Sequence, residues 1–320
     1  MKRVKYLDLV RGLAIFFMIM QHAMLVHEYG AGDSSDIFSV VFVVLGTWPA
    51  APVFMVVMGV FMQQSKMNTR GMMIRGLKLL ALGYVLNFVR FTIPLLIVKD
   101  NQAFTLLFEI DIFQLAGLSY IILAGLRKVA SNKFAFPVII LFIIIISPYL
   151  WADINYLTDP FIGINEIVSF PVFPWIIYPM LGMYLSDTLL NMDKKKTIVL
   201  SIAAVIALTF GLITLGDHTV YAYPQHTFDV HLIIIAFVLL YLVTAYYISK
   251  YIGDIKILTI WSKNITSIYI LQWIIYGYSI LILNANSFNH IVTMLIGFVV
   301  MIIVHLLITK TNIDKFIPKI

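Results

Sequence analysis

Long apolar runs divided by short polar breaks recur from one end of this 320-residue chain to the other. Runs of this length suit helices crossing about 30 Å of hydrocarbon. The pattern predicts ten of them, over residues 9–28, 37–64, 72–98, 109–126, 134–150, 166–187, 197–215, 229–249, 263–283 and 290–309. The breaks between them are brief, as at Gly30-Ala-Gly-Asp33, Lys99-Asp-Asn101, Lys194-Lys-Lys196 and Asn284-Ala-Asn286. None is long enough to hold a second domain. The expectation is one all-α, polytopic membrane domain over residues 1–320. No short apolar run with a small-residue cleavage site opens the chain, so the first helix is expected to be retained.

Charge gives this pattern a direction. Lys2, Arg3 and Lys5 precede the first helix. Lys66, Arg70, Arg75 and Lys78 cluster at the second connection, and Arg127, Lys128 and Lys133 at the fourth. Lys194 to Lys196, then Lys250, Lys256 and Lys263, then Lys310, Lys315 and Lys319 follow at the sixth connection, the eighth and the end. With ten spans these residues and both termini share one side, which the positive-inside rule makes cytoplasmic. Asp33, Asp36, Asp100, Glu109, Asp111, Asp153, Asp159, Glu166, Asp217 and Asp229 favour the other side.

Composition supports the same class. The chain is 61% hydrophobic and 12% charged, with a mean hydropathy of +0.96, whereas a soluble domain carries about 25% charged residues. Its net charge of +6 is accounted for by topology, which removes the reason to expect a nucleic-acid partner. The absence of cysteine excludes disulfides, thiol nucleophiles and thiolate metal ligands. The partner expected from composition is the lipid bilayer, with the cell membrane as the location.

Ionisable side chains inside such spans are costly and mark candidate sites. The stretch RGLAIFFMIMQH places Arg11 and His22 eleven residues apart, about three helical turns, so they share a face about 16 Å apart along the axis. Arg11 stands in the first cytoplasmic turn and His22 nearer the outer leaflet. Each alone has a simpler reading, Arg11 as a snorkelling anchor and His22 as a packing histidine held by hydrogen bonds. In the third helix Arg90 lies near the level of His22, with Asn87 one turn below. Asp111 and Gln114 fall in the outer third of the fourth. An ion pair between Arg90 and Asp111 is the structural alternative to a substrate role. In Phe170-Pro171-Val-Phe173-Pro174-Trp175 two prolines interrupt the sixth helix, which happens either as a kink or where backbone lines a cavity. The outer loop Gly216–His231 holds His218, His226, His231, Asp217 and Asp229 together with Tyr221 and Tyr223. Its spacing fits no metal motif, and no metal is expected. The tyrosines and Pro224 suit the rim of a polar-acceptor site. No GxxxxGK[ST], HExxH or GxSxG motif is present.

Tyr6-Leu7-Asp8-Leu9-Val10-Arg11-Gly12-Leu13-Ala14, followed by His22, resembles the LDxxRGxA opening of the transmembrane acyltransferases. This superfamily joins the acyltransferase 3 proteins with the heparan-alpha-glucosaminide N-acetyltransferases. Arg11 and His22 meet the Arg-x10-His signature of the acyltransferase 3 branch. Ala51-Pro52-Val53-Phe54-Met55 through Gly59, Glu109-Ile-Asp111-Ile-Phe-Gln114, Phe170–Trp175 continuing to Gly182, and Tyr223-Pro224 are more similar to the heparan branch and its prokaryotic relatives. Two departures stand out. Relatives often carry histidine where this chain has Gln272, and no histidine lies between Glu28 and the second helix, where the heparan branch places its catalytic one.

The resemblance implies transfer of an acyl group, with acetyl expected, from cytoplasmic acyl-CoA to a hydroxyl or amine of an extracytoplasmic glycan or glycolipid. Acyl-CoA is then a donor substrate, and no permanently bound cofactor is expected. Arg11 stands at the donor, and His22 is general base or acyl carrier. Arg90, Asn87, Asp111, Gln114, Trp175 and Tyr223 are the candidates for substrate binding. The competing class is a transporter or exporter of a small anionic solute using Arg11, Arg90 and His22 as its pathway, although no repeat relates residues 1–160 to 161–320. A third is a non-catalytic membrane partner or sensor. The oligomeric state is left open by the sequence.

Overall fold

The structure is a computed structural model describing residues 3–28, 41–42, 44–127, 135–150, 158–163, 167–215, 226–283, 286–311 and 313. Among these residues the secondary structure is helical, with two isolated β-bridges, Glu28 to Phe288 and Ile110 to Val168. Lys5–His27, Gly46–Gln64, Thr69–Ile97, Lys194–Thr214, Phe228–Tyr251 and His290–Lys310 are long and apolar enough to cross a membrane. Ile112–Leu126, Ala135–Leu150 and Val172–Tyr184 are shorter apolar helices. The chain is an all-helical membrane protein.

The main helices are α1 (Lys5–His27), α2 (Ala51–Gln64), α3 (Thr69–Asn87), α4 (Ile112–Leu126), α5 (Ala135–Leu150), α6 (Ile177–Tyr184), α7 (Lys194–Thr214), α8 (Phe228–Tyr251), α9 (Lys256–Lys263), α10 (Ile265–Ser279) and α11 (His290–Lys310). Several ends depart from the hydropathy pattern for local reasons. A π-helical turn at Gly46–Ala50, containing Pro49, leads into α2. Another, Phe88–Thr92, continues α3 and carries Arg90. Such turns widen the helix by one residue, a change that hydropathy does not register, and they recur at functional sites.

The fourth helix starts at Ile112 rather than 109. Asp111 is its N-cap, in extended backbone, accepting from the Ile112 amide at 2.6 Å, while Gln114 Oε1 accepts from the Asp111 amide at 3.3 Å. This reciprocal pair satisfies donors that the helix cannot. The proline-interrupted stretch breaks as its sequence requires, into Val172–Trp175, α6 and Ser186–Leu190. Phe173 is non-helical there (φ −102, ψ 114), and its bond to Pro174 is cis. The predicted 263–283 helix begins earlier, at Lys256, and is divided at Asn264 (φ −114, ψ 24) into α9 and α10.

The helices gather into two compact units that alternate along the chain. One comprises Met1–Ala51, Leu86–Leu107 and Ala245–Ile320, and the other Pro52–Val85 and Phe108–Thr244. In the first, α1 packs against α9, α10 and α11. Its apolar residues lie all around the helix, and Leu7, Val10, Ala14, Ile15 and Ile19 are buried, as befits a helix at the centre of a bundle. In the second, α5 packs against α6 and Val172–Trp175. There Arg127 donates to the Gln63 carbonyl in the last turn of α2 and to those of Ser65 and Met67 just beyond it.

The approach of α1 to α9 depends on Gly12. A Cβ at that position would sit 2.5 Å from the Leu258 carbonyl oxygen and 2.6 Å from its Cβ. Gly12→Val is expected to destabilise the fold by about 1–3 kcal/mol, an overpacking penalty. Gly125→Ala, where nothing lies within 4 Å of the added carbon, serves as the control. Thermal denaturation in detergent checks this, and equal midpoints for the two variants would contradict the packing described.

Candidate active site

The unbroken α1 places Arg11 and His22 on one rod, as their spacing predicted. Both side chains are half-buried, while Ile15 and Met18, on the same stripe between them, are buried. Helix α10 runs beside α1 in the same direction. His22 meets Gln272 and His27 meets Ser279, while Asp8 meets Ser262 of α9, which precedes α10. The Tyr276 hydroxyl also donates to the Ile19 carbonyl at 2.8 Å, which fixes the register of the pair.

Arg11 belongs to a polar network at the start of α1. Its Nη2 donates to Asp8 Oδ1 at 2.8 Å, one helical turn away. Asp8 also accepts from Arg3 Nε at 2.6 Å and from Ser262 Oγ at 2.8 Å. Arg3 Nη2 donates to Thr259 Oγ1 at 3.0 Å, and Thr259 in turn donates to Asp254. The Thr259 hydroxyl, then the nearby Arg3 and Lys5 charges, hold the Asp254 carboxyl below its ordinary value. Its contribution to stability is therefore present above the unfolded carboxylate's range and is lost as pH falls through the lowered value. The aspartate and arginine of the LDxxRG segment thus form one unit, with Asp8 as the hub. A planar guanidinium held in this way has a fixed orientation.

His22 has a different setting. Its Nδ1 lies 3.0 Å from Gln272 Nε2. Its ring centroid is 4.3 Å from that of Trp273, tilted by 35°, and 6.2 Å from that of Tyr269. The guanidinium of Arg90 lies over the same Trp273 ring, 4.3 Å from its centroid, and over Phe91 at the same distance. Arg90 has no solvent exposure. It donates through Nη2 and Nε to Asn87 Oδ1 at 2.9 and 3.2 Å, and Asn87 Nδ2 donates to the Leu107 carbonyl at 3.1 Å. Gly277 lets α10 come this close, because a Cβ there would collide with the Arg90 carbonyl oxygen. One tryptophan therefore touches both the fixed cation and the imidazole.

The structure brings Arg11, His22, Asn87 and Arg90 into the first unit. Asp111, Gln114 and Trp175 belong to the second. Asp111 and Gln114 cap α4 there, and the Gln114 side chain packs on Gly83. Trp175 is fully buried, edge-on to Phe170 at 4.8 Å and near Tyr178 and His226. The Tyr178 hydroxyl lies 2.9 Å from His231 Nδ1. Tyr223 and His218 lie outside the described residues. Asp8, Ser262, Trp273 and Gln272 were not singled out as site residues by sequence alone. The signal for Gln272 was present as a lone amide in an apolar helix, but its partner is 250 residues away.

The model of the acyltransferase 3 family, an acyltransferase domain, matches residues 4–310. The chain belongs to the acyltransferase 3 family. No curated protein and no solved structure matches it. Within this acyltransferase the match runs through both compact units and takes in Arg11, His22 and Gln272.

Removing the charge of Asp8 leaves two guanidinium groups without their shared carboxylate. Asp8 is 5% exposed, whereas the Arg3 and Arg11 side chains are 41% and 21% exposed. Water thus relieves part of the loss, and Asp8→Asn is expected to cost about 2–3 kcal/mol, somewhat less than breaking a fully buried pair. Arg3→Gln, at the exposed rim, should cost much less. Thermal unfolding of the two variants side by side tests this, and equal losses would remove Asp8 from the centre of the network.

Proposed function

We propose that this member of the acyltransferase 3 family transfers an acyl group, with acetyl expected, from cytoplasmic acyl-CoA to an extracytoplasmic acceptor. The acceptor class is a hydroxyl or amine of a glycan or glycolipid, and the enzyme works in the cell membrane. His22 is the general base or acyl carrier, and Arg11 holds the donor's anionic part. The observation that carries this reading is the pairing of two prepared stations on α1, Arg11 locked by Asp8 and His22 held between Gln272 and Trp273.

The chemistry requires little beyond these stations. A thioester carbonyl beside His22 is attacked by the acceptor, whose proton passes to the imidazole. The C–S bond breaks as the acyl–acceptor bond forms, and the CoA thiolate leaves and takes up the proton. Arg90, buried one ring away, supplies a fixed positive field for the oxyanion that develops. Asn87 holds Arg90 in place. Asp111, Gln114, Trp175 and Tyr223 stay as candidates for acceptor recognition.

The topology proposed with it has ten spans and cytoplasmic termini within a single domain over 1–320. Support comes from the six long apolar helices, the three shorter ones and α10 among the described residues. The common direction of α1 and α10, first and ninth in that scheme, agrees with it. Its consequence is that the Lys194–Lys196 cluster at the start of α7, where the Asp193 side chain caps the Lys196 amide at 2.8 Å, is cytoplasmic. A cysteine placed at Lys195 in this cysteine-free chain should react with impermeant maleimide only after the membrane is opened. Labelling of intact cells would reverse the orientation and with it the side from which the donor enters.

Purified protein given labelled acetyl-CoA and a panel of glycan acceptors tests the reaction. His22→Ala is expected to lower transfer by about 10²–10⁴-fold, the range for a lost acid–base group. Arg11→Ala is expected to raise the donor KM. Survival of transfer in a folded His22→Ala protein would refute the mechanism. Uptake of an anionic solute into proteoliposomes without CoA release would support the transporter instead.

A further inference from the structure

We infer that Gln272 is a positioning residue that selects the reactive tautomer of His22, its amide carbonyl accepting from Nδ1–H so that Nε2 takes the acceptor's proton. The inference rests on the acyl-transfer reading above.

The amide of Gln272 meets His22 Nδ1 at 3.0 Å and has no solvent exposure. Such a contact can be made in two ways. In one, the amide NH2 donates to an unprotonated Nδ1, and the ring proton must then reside on Nε2. In the other, the amide is turned over, its carbonyl accepts from Nδ1–H, and the lone pair resides on Nε2. Only the second gives a base on the ring nitrogen that Gln272 leaves for chemistry.

Either way round, one end of the buried amide faces Nδ1 and the other takes the position where Gln272 Oε1 has no hydrogen-bond partner among the described residues. Proton transfer favours the second arrangement, because an imidazolium carries protons on both nitrogens and needs an acceptor at Nδ1. The carbonyl serves before and after the transfer without moving, whereas an NH2 facing Nδ1 would oppose it. The register that holds the carbonyl opposite the ring is set by Tyr276 on Ile19 and by Ser279 on His27.

In the balanced step, the acceptor O–H or N–H bond breaks with its proton going to Nε2, and the freed electron pair forms the bond to the acyl carbon. The C–S bond then breaks, and the thiolate removes the proton from Nε2. Nδ1–H stays bonded to Gln272 throughout. Gln272 touches neither reactant.

Two substitutions separate this from a packing role. Gln272→Leu removes the acceptor and keeps approximate volume. Gln272→Glu keeps an acceptor oxygen but, when ionised, cannot donate. With labelled acetyl-CoA, Gln272→Leu is expected to lower kcat about 10²-fold, with the donor KM within about twofold of wild type because in the reading above Arg11, not Gln272, holds the donor's anionic part. Gln272→Glu, assayed at pH 8, is expected to recover most of that kcat. Transfer lost equally in both variants, in protein that stays monodisperse with an unchanged thermal midpoint, would show the amide to be a donor and overturn the inference. Full kcat in Gln272→Leu would also overturn it. Failure of the underlying reading looks different, since His22→Ala would then transfer as well as wild type whatever stands at 272.

Discussion

A guanidinium with no exposure to solvent, in a helix built for lipid, constrains much of the first unit. A charge in hydrocarbon survives only with hydrogen bonds, opposite charge or polarisable surface around it. For Arg90 the structure supplies the Asn87 carbonyl oxygen on one side and the Phe91 and Trp273 rings on others. These partners dictate backbone in turn. The π-helical turn at Phe88–Thr92 shifts Arg90 relative to a regular helix, and Gly277 removes the side chain that would hold α10 away. Trp273 is then in place, and the residue before it on α10 meets His22.

The imidazole therefore shares part of its surroundings with a buried charge. Trp273 links the two through its ring, at 4.3 Å from the Arg90 guanidinium and 4.3 Å from the His22 centroid. Ring-face attraction for a cation is strongest for tryptophan, and a rigid indole transmits that placement to its other neighbours. The polar network around Asp8 fixes the start of α1 in the same way, through Ser262 on α9 and Arg3. Held at the start by Asp8 and deeper by Gln272 and Tyr276, α1 is clamped along its length rather than at one point.

Much of this was legible from sequence because the signals were local. Apolar run length gave the helices, the prolines at 171 and 174 gave the break, and the eleven-residue interval gave a shared face for Arg11 and His22. Asp111 with Gln114 three residues later is a capping pattern, which hydropathy had absorbed into the helix body. Other features depend on distance in the chain. Nothing near His22 announces Gln272, nothing near Arg90 announces Trp273, and nothing near Gly277 says that a carbonyl from residue 90 will press against it. The π-helical turns were hidden for another reason, since one added residue per turn leaves hydropathy unchanged.

The choice of an amide at 272 has a physical reason in this setting. An acceptor opposite Nδ1 is needed if His22 is to receive a proton at Nε2, and aspartate or glutamate would provide a stronger one. A carboxylate in an apolar interior carries its own desolvation penalty. A histidine would accept only through an unprotonated nitrogen and would add a second titrating ring beside the first. Glutamine offers a carbonyl that accepts without charge and without titrating. For the proposed reaction it trades strength of polarisation for a neutral partner, so that the proton exchanged in a turnover would stay with His22.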